Sequence, residues 1–187
     1  MGKKLPVYKL VVNDTEEDSG VNIVSFVDEP AIEQDFMVFS EAMKYKADPQ
    51  RRIVTGAMMV ADTPIYRNNG GEEFNVIFEK ETIEKLVQKF FKNKFVNNVN
   101  LMHEENTDGV YMFESFITDS SRGIQAPKGY PKVPDGTWFG SYKIENDEVW
   151  ASVLEGKFKG FSIEGLFNRV EMRTHINKEV EELFKDL

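Results

Sequence analysis

The residues best suited to chemistry are a serine and a histidine that lie far apart in the sequence. Ser162 lies in the stretch Gly-Phe-Ser-Ile-Glu-Gly at 160–165, and His103 is one of two histidines among 187 residues. A serine hydroxyl is a weak nucleophile near pH 7 unless a base takes its proton, and imidazole is the usual base. The chain has no cysteine that could act as nucleophile instead. The two residues therefore suggest a serine hydrolase built from distant segments.

Each of these residues also has a purely structural interpretation. Ser162 lies between Phe161 and Ile163, which is typical of a buried strand serine bonded to the backbone. The stretch is not the nucleophile elbow of α/β-hydrolases, because that motif has a glycine two positions after the serine. His103 precedes two glutamates and also fits a surface histidine near an acidic turn. Two histidines so far apart offer no zinc-ligand spacing, so neither a metal nor another cofactor is expected.

Three side chains could orient the imidazole of His103. Glu114 is an acid within an otherwise apolar predicted strand, which is costly unless the carboxylate is exposed or paired. Glu164 follows Ser162 by two residues and is predicted to lie on the same face of the same strand. His175 lies near the end of the following strand. Each of the three is also a common type of structural side chain.

An oxyanion formed at Ser162 would need hydrogen-bond donors. Backbone N–H groups near a predicted turn from Gly160 to Gly165 are one source. Arg169, in the next predicted strand, is a second source, directly or through water. The structural alternative for Arg169 is a solvent-facing arginine.

The composition excludes several classes of protein. The chain is 41% apolar and 29% charged with a net charge of −9, which is typical of a globular domain. The acidic balance and the lack of a basic stripe argue against a nucleic-acid partner. No apolar run of roughly eighteen residues is present, which argues against a transmembrane helix. Disulfides are excluded because there is no cysteine.

Hydrophobic alternation predicts roughly ten short strands and two or three helices. The clearest helix is Lys80–Asn93, with one apolar stripe. A shorter helix begins at Asp147 as N-cap and stops at Gly156, and an amphipathic helix covers Asn177–Leu187. The predicted strands are Tyr8–Val12, Val21–Val27, Phe36–Phe39, Arg52–Val60, Thr63–Arg67, Glu73–Phe78, Asn97–His103, Val110–Thr118, Thr137–Ile144, Phe158–Ile163 and Phe167–Met172.

These elements predict a β-rich α+β domain, either a barrel or a curled sheet with helices packed on it. Residues 1–50 are expected to form an N-terminal arm, residues 51–175 the main domain, and residues 176–187 a C-terminal amphipathic helix. The stretch between Thr118 and Thr137 is rich in proline and glycine. A loop of that length is often functional or mobile.

Several blocks in this sequence resemble the phage serine proteases of the prohead protease group. They follow one another in matching order over residues 51–173, which makes the resemblance more specific than any single block. A further block at 24–32 resembles a leader found ahead of such proteases. The blocks are Arg52–Gly56, Pro64–Arg67, Phe78–Ile83, Asn97–His103, Gly109–Ser115, Gly136–Trp138, Asn146–Trp150 and Gly160–Gly165.

The resemblance implies a fold like that of herpesvirus assemblin, a β-barrel ringed by helices, with the serine and histidine on neighbouring strands. It implies Ser162 as nucleophile and His103 as general base. Assemblin-type enzymes use a second histidine as third member, whereas phage relatives are credited with an acid. The resemblance therefore leaves Glu114, Glu164 and His175 open, with Glu114 as the first choice.

The resemblance also implies a place of action and partners. The enzyme would work in the host cytoplasm, inside the assembling phage prohead, and would cleave scaffold and major capsid proteins and then itself. A homodimer or higher oligomer is expected, and the helix at 176–187 would begin a scaffold-like tail. No membrane, nucleic acid, metal or cofactor is expected. The alternative is a virion structural or interaction protein that keeps the protease fold without activity.

Overall fold

The computed structural model describes residues 5–13, 19–28 and 44–171. Three sequence predictions lie outside these residues, namely the strand Phe36–Phe39, the role of His175 and the helix Asn177–Leu187. Within the described part, the chain is β-rich with two α-helices, as the sequence predicts.

Most helices and strands lie close to their predicted positions, but the short strands at 46–48 and 105–106 are not predicted from the sequence. The α-helices are α1 (Lys80–Lys92) and α2 (Asp147–Leu154), and short 3-10 helices cover Phe95–Asn97 and Ser120–Arg122. The strands are β1 (Val7–Val11), β2 (Gly20–Val27), β3 (Lys46–Asp48), β4 (Ile53–Met59), β5 (Ile65–Asn69), β6 (Glu72–Ile77), β7 (Val99–Leu101), β8 (Glu105–Asn106), β9 (Val110–Ile117), β10 (Trp138–Ile144), β11 (Gly160–Leu166) and β12 (Asn168–Glu171).

The described strands form three four-stranded sheets, in the orders β12-β1-β6-β5, β3-β4-β10-β9 and β11-β2-β7-β8. The predicted closed barrel is wrong for the described residues, because hydrogen-bonded pairing ends at an edge strand in each sheet. Side-chain packing joins β4 to β11 instead. A Cβ on Gly56 of β4 would lie 2.8 Å from the Phe161 ring of β11.

The core is built largely of aromatic rings. Phe26, Tyr142 and Phe161 pack together with ring centroids 5.1, 5.2 and 5.4 Å apart, and all three are at most 2% exposed. Burial of such a side chain contributes roughly 1.5–3 kcal/mol. Side chains alternate across a strand, so the serines beside Phe26 and Phe161 point to the opposite face of their sheet.

The two helices follow their sequence signals with one difference. Helix α1 buries Ile83, Leu86 and Phe90 along the predicted stripe. At the start of α2, the Asn146 side chain accepts hydrogen bonds from two backbone N–H groups of the first turn. The prediction of Asp147 as N-cap is therefore wrong by one residue, because Asn146 has the extended backbone that a cap requires.

The proline- and glycine-rich stretch after β9 is packed against the sheet β3-β4-β10-β9. The Tyr130 ring contacts the Phe139 ring edge-on at a centroid distance of 5.1 Å, and the Tyr130 hydroxyl donates to the Thr55 carbonyl. The Thr118 hydroxyl donates to the Pro134 carbonyl at 2.9 Å. These contacts hold the stretch against the sheet near Tyr130 and near Pro134. A functional role for the stretch stays a prediction.

The segment predicted as an N-terminal arm, residues 1–50, supplies three strands to the sheets, and β3 pairs with β4. β1 pairs with β12 and β6, and β2 lies between β11 and β7. Strand β11, which carries Ser162, therefore pairs with β2 from this N-terminal segment.

Gly165 provides a test of this pairing, because β11 and β2 approach closely there. A Cβ at Gly165 would lie 1.9 Å from the Gly20 carbonyl oxygen, and that backbone cannot move without disrupting the strand pair. We expect Gly165→Ala to lower the free energy of unfolding by roughly 3 kcal/mol or more, at the upper end of overpacking effects. Urea unfolding followed by circular dichroism measures the change.

Gly140→Ala is the matched control. Its added Cβ meets flexible methionine termini, Met112 Cε at 2.8 Å and Met58 Sδ at 3.4 Å. Methionine adapts readily, so the expected cost is about 1 kcal/mol, at the lower end of overpacking effects. Equal destabilisation by the two substitutions would contradict the close approach at Gly165.

Candidate active site

Ser162 lies within β11, and its neighbours on the next two strands are also polar. It lies opposite Ser25 of β2 in the antiparallel register, and Ser25 lies beside Asn100 of β7 in the parallel register. Adjacent strands are about 4.8 Å apart, and residues in register point to the same face. Ser162 is 8% exposed, Ser25 0% and Asn100 4%. Strand pairing thus gathers three polar side chains into one buried row.

Glu164 extends this polar row along β11. It lies two residues after Ser162, and so on the same face, as predicted. Its Oε1 accepts hydrogen bonds from Asn100 Nδ2 at 2.7 Å and from Ser25 Oγ at 2.5 Å. His103 Nδ1 lies 2.9 Å from the same oxygen. The Glu164 side chain is 31% exposed, so these contacts offset the partial loss of water around the carboxylate.

His103 lies in a tight turn between β7 and β8, two residues beyond the end of the strand. The Glu104 N–H donates to the Leu101 carbonyl at 3.0 Å, and the central residues Met102 and His103 have φ values of 54° and 63°. Left-handed backbone costs roughly 1–2 kcal/mol per non-glycine residue. Such strain concentrates at functional sites. The turn brings His103 Nδ1 to 3.0 Å from Ser25 Oγ.

The contacts of Glu164 define the electrostatics of the site. Partial burial raises the pKa of Glu164, but hydrogen bonds from Ser25, Asn100 and His103 outweigh this effect and hold the pKa below its ordinary value. The carboxylate is therefore ionised near pH 7 and can only accept hydrogen bonds. The His103 tautomer with hydrogen on Nδ1 satisfies this contact, which leaves the Nε2 lone pair available as a base.

Ser162 and His103 are close in the sheet but are not directly paired. No hydrogen bond joins Ser162 Oγ to the His103 ring among the described residues, where Nδ1 contacts Ser25 and Glu164. The expectation that the serine and histidine lie on neighbouring strands is wrong, because β2 lies between β11 and β7.

Comparison with protein-family models matches most of the chain to a family. The family described as "Putative phage serine protease XkdF" matches residues 41–171, which is more than two thirds of the sequence. The chain belongs to the XkdF family of phage serine proteases. No curated protein and no solved structure matches it significantly. The family match includes His103, Ser162 and Glu164, whereas Ser25 lies outside it.

Glu114, the first choice for the third member of this XkdF-family site, lies in a different sheet from Ser162. It is on β9, and its carboxylate accepts a hydrogen bond from the Ser141 hydroxyl at 2.6 Å. The acid in contact with the His103 ring is Glu164. His175 lies outside the described residues, so its role stays a prediction.

The two residues considered for oxyanion binding are also separated. The Arg169 guanidinium on β12 lies 5.0 Å from the centre of the Phe74 ring, a cation–π arrangement in the sheet β12-β1-β6-β5. Gly160 is buried at the start of β11, two residues before Ser162. The predicted turn from Gly160 to Gly165 is wrong, because β11 is continuous from Gly160 to Leu166. The backbone N–H groups next to Ser162 in the chain are therefore those of a strand.

The polar cluster consists of Ser162, Ser25, Asn100, Glu164 and His103. Two of these residues, Ser25 and Asn100, are not identified as part of the site from the sequence. Asn100 lies in the same block as His103, and Ser25 interrupts an apolar run between Val24 and Phe26. A polar residue at the buried centre of a strand is a recognisable signal, since it must find a hydrogen-bond partner. Its partners depend on the parallel pairing of β2 with β7, which sequence alternation does not reveal.

The direction of the peptide groups on β2 follows from its pairing with β7. The Val24 N–H donates to the Asn98 carbonyl, and the Met102 N–H donates to the Phe26 carbonyl. Alternate residues of a strand direct their peptide groups to opposite sides. Ser25 therefore directs its N–H and C=O towards β11.

This pattern determines which peptide groups of β11 face outwards. Ser162 lies opposite Ser25 and directs its N–H and C=O towards β2. The N–H and C=O groups of Phe161 and Ile163 therefore point to the outer edge of β11. In the described part of the chain, β11 is an edge strand with no strand paired on that side.

The described residues contain no group of three or more histidines and acids that could hold a metal ion. No described helix is long and apolar enough to cross a membrane. The expectations that the XkdF-family chain needs neither metal nor cofactor remain predictions.

Glu164 gives the folded chain a measurable pH dependence. An unfolded glutamate titrates near pH ~4.3, and the pKa of Glu164 is lowered in the folded state. Glu164 therefore stabilises the fold above the unfolded pKa, and this stabilisation is lost as the pH falls through the folded pKa. We expect Glu164→Gln to be less stable than the parent at pH 7 and to converge with it in acid. Urea unfolding at a series of pH values from 7 to 3 measures both.

Glu72→Gln is the control for this titration, because it removes an exposed carboxylate of the β5–β6 hairpin. Its stability relative to the parent should change little over the same range. A stability difference for Glu164→Gln that is the same at every pH would contradict the role of the ionised carboxylate.

Proposed function

We propose that this chain is a serine endopeptidase in which Ser162 is the nucleophile, His103 the general base and Glu164 the group that orients the imidazole. The observation that carries this proposal is the 2.9 Å contact between Glu164 Oε1 and His103 Nδ1. That contact occupies Nδ1, so Nε2 is the ring nitrogen that can act as the base. In a catalytic triad, the acid contacts Nδ1 of the histidine, and Nε2 takes the proton from the serine hydroxyl.

In the first step, Ser162 Oγ attacks the carbonyl carbon of the scissile peptide bond while His103 Nε2 takes the hydroxyl proton. The Glu164 carboxylate stabilises the imidazolium that forms. Collapse of the tetrahedral intermediate breaks the C–N bond, and His103 returns the proton to the leaving amine. Water then attacks the acyl ester by the same route, which releases the carboxylic acid product and restores Ser162.

Ser162 must come within hydrogen-bonding distance of Nε2 for the proton to move. The backbone of Ser162 is fixed by pairing to β2, so the approach has to come from the side chains of Ser162 and of His103, the latter 45% exposed. Catalytic hydrogen bonds are often long in substrate-free enzymes and tighten when substrate binds. A substrate backbone that excludes water from the row would favour that approach.

The outer edge of β11 supports a polypeptide as substrate. The outward peptide groups of Phe161 and Ile163 can pair with an extended chain, as in β-strand addition. Such a chain would cross directly beside Ser162. The N–H of Phe161 or Ile163 is then placed to donate to the oxyanion, a role for which Arg169 lies in the wrong sheet.

The substrates we propose are the phage scaffold and major capsid proteins, followed by the protease itself. Membership of a phage serine protease family and the resemblance to prohead proteases support this proposal. Cleavage would take place inside the assembling prohead in the host cytoplasm. Packing of substrates around the enzyme in that shell supplies a high effective concentration. A homodimer or higher oligomer is part of the same proposal.

One observation favours a second function, that of a catalytically silent virion protein. Ser162 Oγ makes no hydrogen bond to His103 in the described structure, and a purely structural protein would need none. The tight hairpin turn itself requires left-handed residues at Met102 and His103. The contact of the His103 ring with Glu164 favours the enzyme instead, because the acid is bound to the nitrogen that it would contact in a triad.

The central test follows cleavage of scaffold and capsid proteins by mass spectrometry. We compare the intact chain with Ser162→Ala and His103→Ala, after circular dichroism has shown that all three fold alike. The intact chain should cleave, and each substitution should lower the rate by about 10⁴-fold or more, as in other serine proteases. Equal cleavage by all three chains would exclude this mechanism. Absence of cleavage by the intact chain would favour the silent virion protein.

The identity of the orienting acid is tested separately. Glu164→Gln should lower kcat by about 10³- to 10⁴-fold with a smaller effect on KM, because an amide cannot stabilise the imidazolium. Glu114→Gln alters a carboxylate bonded to Ser141 in another sheet and should change kcat less than tenfold. The reverse result would return the role to Glu114.

A further inference from the structure

Ser25 occupies the centre of the polar cluster. Its strand β2 lies between β11 and β7, and its side chain is completely buried. Its Oγ lies 2.5 Å from Glu164 Oε1, 2.5 Å from Asn100 Oδ1 and 3.0 Å from His103 Nδ1. No other serine of the described chain contacts both the histidine and the acid of the proposed site.

The hydroxyl has one hydrogen to donate and two lone pairs that can accept. It donates to the ionised Glu164 carboxylate, which is a stronger acceptor than the amide oxygen of Asn100. Its Oγ also lies within reach of the Nδ1–H that His103 directs at Glu164. Ser25 thus contacts both partners of the acid–imidazole pair at once.

Ser25 is too deeply buried to act as the nucleophile. A nucleophile must reach a carbonyl carbon of the substrate, and a side chain with 0% exposure presents no surface to one. Ser162, on the edge strand β11, is 8% exposed. The Ser25 hydroxyl is also directed at the carboxylate and the imidazole, which it can hold in place.

We propose that Ser25 is a positioning residue of this site, whose hydroxyl fixes the Glu164 carboxylate and the His103 ring in the orientation that presents Nε2 to Ser162. This inference rests on the proposed function. It assigns a role to a residue outside the family-matched region of 41–171. The segment that precedes the matched domain is then part of the site, since β2 supplies its central hydroxyl.

The test compares Ser25→Ala with Ser141→Ala. Ser141 is a matched control because it is also buried in a central strand, with 1% exposure, and it also donates to a glutamate, Glu114, at 2.6 Å. Both substitutions remove a buried hydroxyl bonded to a carboxylate. Only the first removes one from the proposed site. Ser25→Cys, which keeps most of the volume but donates weakly, replaces Ser25→Ala if that variant does not fold.

Two readouts are measured on each folded variant. Carbon-13 NMR of the Glu164 carboxyl follows its titration, and cleavage of the scaffold protein gives kcat and KM. In the Ser25 variants, the pKa of Glu164 should rise towards its ordinary value because one of its hydrogen bonds is lost. We expect kcat to fall about 10- to 100-fold with KM nearly unchanged, as for a misplaced catalytic group. Ser141→Ala should leave both readouts unchanged.

The outcomes separate this inference from the proposed function. If the parent cleaves and the Ser25 variants keep its kcat and its Glu164 titration, Ser25 is only structural and the inference is overturned. Effects of equal size in Ser141→Ala would overturn it as well. If the parent cleaves nothing, the proposed function fails, and the NMR titration alone decides whether Ser25 holds the carboxylate.

Discussion

The site depends on the hydrogen bonds around the Glu164 carboxylate. A carboxylate that loses part of its water must gain donors from the protein. Here they come from Ser25 of β2, Asn100 of β7 and His103 of the following turn. A slip of one residue in either strand pair would turn a donor to the opposite face. The carboxylate and the strand register therefore support each other.

The aromatic core maintains that register from the other side of the sheet. Phe26 and Phe161 follow and precede the two serines of the row, and both are buried against Tyr142. The apolar packing on one face of the sheet thus fixes the positions of the polar side chains on the other face, because shifting close-packed core side chains costs free energy. The close backbone approach at Gly165 limits movement of β11 further along. The rigid part of the site is the sheet, whereas the His103 side chain, 45% exposed, is its most accessible group.

The sequence predicts those parts of the molecule that local periodicity determines. Alternation locates β11 and places Glu164 on the face of Ser162, and the stripe of α1 predicts its buried side. The turn at His103 escapes prediction because neither central residue is glycine or asparagine, the usual left-handed residues. Ser25 and Asn100 escape because their meeting depends on parallel pairing between distant segments. For the same reason, the preference for Glu114 over Glu164 could not be settled from strand patterns.

The most direct test of the proposed mechanism is to identify the residue that reacts with a fluorophosphonate, which phosphonylates an activated serine with loss of fluoride. Peptide mapping by mass spectrometry then locates the adduct. The proposed mechanism predicts a single adduct on Ser162 in the intact chain and none in folded His103→Ala, because the base is required to activate the hydroxyl. An adduct on Ser25, or the absence of any adduct on the intact chain, would contradict it.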